Sequence, residues 1–132
     1  MNVNEKGVKG LIKVIDDLQE NGYYVFNAFD DHSPVDLVAM DKQGQIYRLQ
    51  VKYRQKDSRK KSIRYEISAS SSVNGKKIPI NRNLIDGWAV YLADDKKIVY
   101  ISKELLKDQN MLVIDPNKNY GKMAEWSMAP HC

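Results

Sequence analysis

Cysteine is almost missing from this chain: its one cysteine, Cys132, stands at the last position. A lone cysteine cannot staple the fold, and no CxxC-type spacing exists to grip a metal. Histidine is nearly as scarce, with only His32 and His131. Two imidazoles so far apart in sequence do not make a zinc nuclease or a histidine-based catalyst. Any bound metal would draw on oxygen ligands, which points to Mg²⁺-like ions. No apolar run approaches the roughly eighteen residues of a membrane span, so no membrane partner is expected. The start, Met1-Asn2-Val3-Asn4-Glu5-Lys6, is polar and has no signal-peptide core, so a cytoplasmic location is expected. Repeats and linker-like stretches are absent too. A chain of 132 residues with 42% hydrophobic content suits one compact domain spanning 1–132.

What is present is a basic excess, small in total and uneven in placement. Lys and Arg number 21 against 17 Asp and Glu, a net charge of +4. Arg54, Lys56, Arg59, Lys60, Lys61 and Arg64 crowd one stretch, opposed only by Asp57, and Lys76, Lys77 and Arg82 follow. Such a cluster beside an acidic site suits a polyanion. A solvated loop or an edge strand guarded by lysines is the alternative.

Periodicity gives the elements. Val8, Leu11, Ile12, Ile15 and Leu18 fall on one face of a helix over residues 5 to 20. Asn4 is its expected cap, and Asn21-Gly22 its stop. Strands are expected at Tyr23–Phe29, Val35–Asp41, Gln45–Tyr53 and Ser62–Ser70. Residues 71–82, with Asn74-Gly75 and Pro79, read as turn or loop. A hairpin follows at Trp88–Ala93 and Lys97–Ser102, then a short helix at Lys103–Lys107 and a last strand at Met111–Ile114. A helix followed by an antiparallel meander gives an α/β (α+β) sandwich.

The turn Lys42-Gln43-Gly44 sets a register. Met40 then faces Ile46, Val38 faces Arg48, and Asp36 faces Gln50. Directly opposed residues carry Cβ atoms about 4.5–5.5 Å apart, close enough for two side-chain oxygens to share one cation. Lys52 has the parity of Gln50 and projects from the same face. Asp36, Gln50 and Lys52 therefore converge. The opposite face of that strand, Tyr47, Leu49, Val51 and Tyr53, is core-like. An exposed strand face with the same three residues is the plainer alternative.

The pair Pro34-Val35-Asp36 and Gln50-Val51-Lys52 resembles the PD-(D/E)XK nuclease superfamily, with one residue inserted between Pro and Asp. Glu5-Lys6-Gly7-Val8-Lys9-Gly10, Asn21-Gly22-Tyr23-Tyr24-Val25 and Ile85-Asp86-Gly87-Trp88-Ala89-Val90-Tyr91 extend the resemblance over roughly residues 5–105. They bring it closest to the group I intron-encoded homing endonuclease branch known from cyanobacteria. The resemblance implies a restriction-endonuclease-like core: an N-terminal helix on a central mixed sheet, with the active site on a β-hairpin. It implies Mg²⁺-dependent (or Mn²⁺-dependent) hydrolysis of double-stranded DNA at specific sites, leaving 5′-phosphate and 3′-hydroxyl ends. Asp36, Gln50 and the Val51 carbonyl would be metal ligands. Asp36, Gln50 and Lys52 would be the catalytic set, Lys52 acting on the attacking water and the charged transition state. Lys6, Lys9 and the basic segment 54–82 would contact DNA, and a homodimer or homotetramer would supply a site for each strand.

The sequence departs from that pattern in two places. Gln50 stands where most relatives carry Asp or Glu, so a ligand charge is missing. Leu11 stands where many carry a helix-borne Glu directly after the second glycine of G-x-x-G. Leucine cannot ligate a metal, and its place on the apolar helix face reads as packing. The departures keep two alternatives open: a junction-resolving, structure-selective nuclease, and an inactive DNA-binding module of the same fold.

Overall fold

The computed structural model describes residues 1–30, 32–56, 64–73 and 76–126. Its helix α1 (Val3–Glu20) begins earlier than the periodicity predicts, so Asn2 rather than Asn4 is the cap. The Asn2 Oδ1 accepts the Glu5 N–H at 2.9 Å, satisfying a backbone donor that the first turn leaves unpaired. The helix stops at Asn21-Gly22, where Gly22 has φ = 86°, the left-handed conformation glycine adopts most cheaply. Gly10, Val14 and Leu18 form its buried line, with Leu11 and Ile15 half-buried. Val8 and Ile12, predicted to lie on the apolar stripe, are instead 56% and 59% exposed. The helix meets the sheet along a narrower line because glycine at position 10 lets the two backbones close. A Cβ there would lie 3.3 Å from the Tyr53 Cβ.

Nine strands are described: β1 (Tyr24–Asn27), β2 (Leu37–Met40), β3 (Ile46–Arg54), β4 (Tyr65–Ser68), β5 (Ser70–Val73), β6 (Lys76–Pro79), β7 (Gly87–Leu92), β8 (Lys97–Ser102) and β9 (Met111–Ile114). Strands β1, β2 and β3 are an antiparallel meander, and β7 with β8 is the predicted hairpin. The link between the two parts makes the sheet mixed, as the resemblance implies, rather than one continued antiparallel meander. Strand β7 runs parallel to β3, giving a mixed five-stranded sheet in the order β1-β2-β3-β7-β8. Parallel neighbours need a crossover, and the chain between them makes one. Within that crossover β4 goes on to pair with β9, while β5 pairs with β6. The loop expected over 71–82 is thus in part the β5–β6 hairpin. Pro79 is tolerated because it sits at the end of an edge strand.

Every residue of β7 is buried, as befits a central strand covered on both faces. Trp88, Val90 and Leu92 join Tyr65, Ile67, Ile101 and Ile114 in one core. Ala89 joins Leu49, Tyr47, Val14 and Leu18 in the other. Helix, sheet and small outer sheet therefore form three layers. Ahead of β7, the Asp86 carboxylate accepts the Arg48 backbone N–H at 2.7 Å and the Arg48 guanidinium at 3.1 and 3.0 Å. The Asp86 N–H donates to the Arg48 carbonyl at 2.8 Å. This double clamp fixes β7 against the segment of β3 that leads into Gln50. No helix among the described residues is long and apolar enough to cross a membrane.

Candidate active site

The predicted register holds: Met40 pairs with Ile46, Val38 with Arg48, and Leu37 with Leu49. It ends one step before the expected Asp36–Gln50 pair. There the Asp36 N–H donates to the Leu49 carbonyl at 2.8 Å, and its own carbonyl accepts the Ala28 N–H at 3.0 Å. Asp36 and Leu37 are both set against Leu49, the two-against-one arrangement of a bulge, which re-aims a side chain. The Asp36 Oδ2 consequently accepts the Val51 N–H at 2.7 Å. Within a strand, one residue's N–H and C=O point to the same neighbour. The Val51 carbonyl therefore leaves the same edge of β3 that Asp36 caps.

Gln50 and Lys52 project from β3 on the face away from α1 and are only 7% and 8% exposed. Gln50 Oε1 accepts the Trp88 indole N–H at 3.0 Å. Lys52 Nζ donates to the Ser70 carbonyl at 3.3 Å, so β5 roofs this lysine. Burial pulls the Lys52 ammonium down to about 8; Arg54 and Lys77 add to that, and Asp36 opposes it. Burial also raises the Asp36 carboxyl above its ordinary value, with the Val51 N–H and Lys52 acting in the other direction. A partly desolvated carboxylate and a partly desolvated amine thus share a cleft of about 390 Å³ with Gln50, Lys6, Arg54 and Lys77.

The donors here, a carboxylate, an amide oxygen and a backbone carbonyl edge, are hard oxygens of the kind Mg²⁺ takes. Only one carries charge. Among the described residues no group of three or more His, Cys, Asp or Glu could hold a metal. Leu11 lines a neighbouring depression together with Asp36 and Val51, so the residue at the glutamate position of the resemblance does lie beside Asp36.

The predicted DNA-contacting residues separate into groups. Lys6, Arg54 and Lys77 line the cleft. The Lys6 amine also donates to Gln55 at 2.9 Å, and the Arg54 guanidinium to the Glu66 and Tyr53 carbonyls at 2.9 Å each. Lys76 is exposed on β6. Lys9 lies in a groove on the outer side of α1 with Val8 and Ile12. Lys56 turns to the β7–β8 corner, where its amine is 3.4 Å from Asp95 and its N–H donates to Asp94. Arg64 pairs with Glu66 at 2.7 Å. Arg82 donates to the backbone carbonyls of Lys107 and Gln109, a structural tie. Arg59, Lys60 and Lys61 lie outside the described residues. Of the aromatic residues that could stack on bases, Tyr65 and Trp88 are core and Tyr53 lines the cleft. Sequence reasoning missed the Trp88 bond to Gln50. The signal for it was a tryptophan on a core strand, whose donor needs a buried acceptor.

No curated protein matches the chain. Among solved structures, a bacterial homing endonuclease, I-Ssp6803I, superposes with a TM-score of 0.73 at 16% identity, covering 94% of this chain and 86% of that one. At that identity the likeness is one of fold. It matches the layered helix and mixed sheet found here. A family model, described as PD-(D/E)XK endonuclease, matches residues 1–129. The β2–β3 edge that brings Asp36 to Val51 thus lies inside a match spanning nearly the whole chain, and the chain belongs to the PD-(D/E)XK endonuclease family.

Proposed function

We propose that this protein is a metal-dependent endonuclease that makes site-specific double-strand breaks in DNA, as a homing endonuclease does. The observation that carries the reading is the convergence of Asp36, Gln50 and Lys52 in one cleft walled by Lys6, Arg54 and Lys77. Asp36, Gln50 Oε1 and the Val51 carbonyl would hold Mg²⁺ or Mn²⁺. A divalent cation there supplies charge that polarises a phosphoryl group and lowers the pKa of water. Lys52, partly neutral near pH 8, takes a proton from the attacking water and then faces the extra negative charge on phosphorus. A P–O bond forms to that water as the bond to the 3′-oxygen breaks, and the departing 3′-oxygen takes a proton from solvent water, leaving a 5′-phosphate and a 3′-hydroxyl. Lys6, Arg54 and Lys77 bind the phosphates on either side. Each chain carries one such site, so cutting both strands calls for a homodimer or homotetramer.

A second reading, a module that binds DNA without cutting it, is favoured by the side chains around Asp36. Leu11 occupies the depression beside it where a second carboxylate would stand. One experiment separates the two. The protein is incubated with a randomised duplex library and Mg²⁺, and the cut ends are sequenced, alongside Asp36→Ala and Lys52→Ala. Endonuclease action gives a recurring cut sequence, lowered at least about 100-fold by either substitution, with most DNA binding retained. Salt-sensitive binding without cutting selects the second reading, and full cutting by either variant removes these residues from the reaction.

A further inference from the structure

Strand β1 is the outer strand of the five-stranded sheet and pairs with β2 on one side only. The Ala28 N–H reaches inward to the Asp36 carbonyl, and Phe26 and Tyr24, two and four residues earlier, share that direction. The N–H and C=O groups of Val25 and Asn27 therefore point away from the sheet, where no strand among the described residues meets them. Such an edge is a template for a further strand, and proteins guard it with lysine or proline. The opposite edge strand, β8, begins with Lys97, and β6 carries Lys76, Lys77 and Pro79. Residues 21–29 hold no charged side chain at all. Tyr24 and Phe26 are half-exposed there, and Phe29 is wholly exposed. Charge stands only at the two ends of the strand. Asp30 follows Phe29, and at the other end the Lys42 amine lies 4.0 Å from the centre of the Tyr24 ring.

We propose that the free edge of β1 docks a second copy of this chain, the two β1 strands pairing antiparallel about a two-fold axis at Phe26. In that register Val25 of one copy meets Asn27 of the other, and each such pair exchanges both of its outward hydrogen bonds. Phe26 packs on its own mate across the axis, and the exposed Phe29 comes to the Tyr23 end of the other strand. The Asp30 end of one strand meets the Lys42 end of the other, twice over, so the charges at the edge are complementary. An extended peptide of another protein would satisfy the backbone alone. This edge matches itself in hydrogen bonds, aromatic rings and charge together. The inference deepens the reading above and rests on it only in its call for two chains per double-strand cut. One continuous sheet would join the two copies, with the β2 strands that carry Asp36 about 14–15 Å apart.

The test reads assembly and involves no cleavage. Sedimentation of the unsubstituted chain should show an even-numbered assembly. Phe26→Lys sets two like charges against each other on the axis and should halve that mass, with the circular dichroism of the fold unchanged. A second measurement does not depend on that variant. In a Cys132→Ser background, Phe26→Cys should give a disulfide-linked pair under mild oxidation, because facing residues at a non-hydrogen-bonded position have Cα atoms about 4.5 Å apart. Tyr24→Cys, at a position exposed to the same degree, should give none, since its own mate lies about 13–14 Å away. An assembly that Phe26→Lys leaves whole, with no cross-link at position 26, overturns the inference alone: the copies then meet elsewhere. Cross-linking through Tyr24→Cys in place of Phe26→Cys means another register and also overturns it. A chain that stays monomeric at every concentration overturns both the inference and the two-chain part of the reading above, and leaves the edge to a peptide of another protein.

Discussion

Lys52 is held by opposing influences that can be varied singly. Burial disfavours its charged form, Arg54 and Lys77 repel it, and Asp36 attracts it. With the ammonium brought down to about 8 from an ordinary 10.5, the folded protein has released this proton in a window where the unfolded chain still holds it. The unfolded state then binds more protons, so this group makes folding stability rise with pH from about 8 to 10.5. The same balance predicts how the neighbours shift it. Titration of Lys52, followed by NMR of its side-chain carbon next to Nζ in metal-free protein, should have its midpoint near 8. Asp36→Asn removes the attraction and should move the midpoint lower; Lys77→Met removes a repulsion and should move it higher. An ordinary midpoint near 10.5, or shifts of the opposite sign, would mean that Lys52 is not desolvated among these charges.

Strand β3 is held at two places, and they have different jobs. The bulge at Asp36 aims a carboxylate at the Val51 N–H. The Arg48–Asp86 clamp fixes where β7, and with it Trp88, meets β3. Asp86 is 5% exposed, and truncating it leaves the Arg48 N–H and guanidinium without their carboxylate. Breaking a buried pair by removing one partner costs about 3–5 kcal/mol. Because the Arg48 side chain is 26% exposed, water recovers part of that, and about 2–3 kcal/mol is the expected loss for Asp86→Ala in urea unfolding. A loss under about 0.5 kcal/mol, typical of surface changes, would show that the clamp does not hold the strands together. The β2–β3 hairpin was legible in the sequence because a glycine turn and alternating residues fix a register. Its last step was not, since a bulge adds a residue without altering the alternation that precedes it. The β5–β6 hairpin was hidden for a related reason: serines, Asn74-Gly75 and Pro79 are all turn signals. Only the pairing of Ser70–Val73 with Lys76–Pro79 in the fold makes strands of the flanking residues.

Across the whole molecule, the sequence showed which residues are basic but not where the fold would send them. Local periodicity found α1, the first three strands and the β7–β8 hairpin. The parallel meeting of β3 with β7 depends on a long crossover and has no local signature. That meeting, together with the β5–β6 roof, decides which cations face the cleft. Lys77 reaches it, whereas Lys56, close to β3 in sequence, is drawn to Asp95 at the far corner. Charge counted along the chain treats the two as equivalent; charge placed in the fold does not. A cation that contacts a DNA phosphate releases about 0.9 counterion from B-form DNA. Lys77→Ala should therefore flatten the slope of log affinity against log salt concentration by about one unit, measured by fluorescence anisotropy on a labelled duplex. Lys56→Ala should leave the slope within about 0.3 units of the parent, since its partner is a carboxylate of its own chain. If both substitutions flatten the slope equally, the DNA path extends beyond the cleft to the β7–β8 corner. If neither does, the phosphates run elsewhere than between α1 and β6.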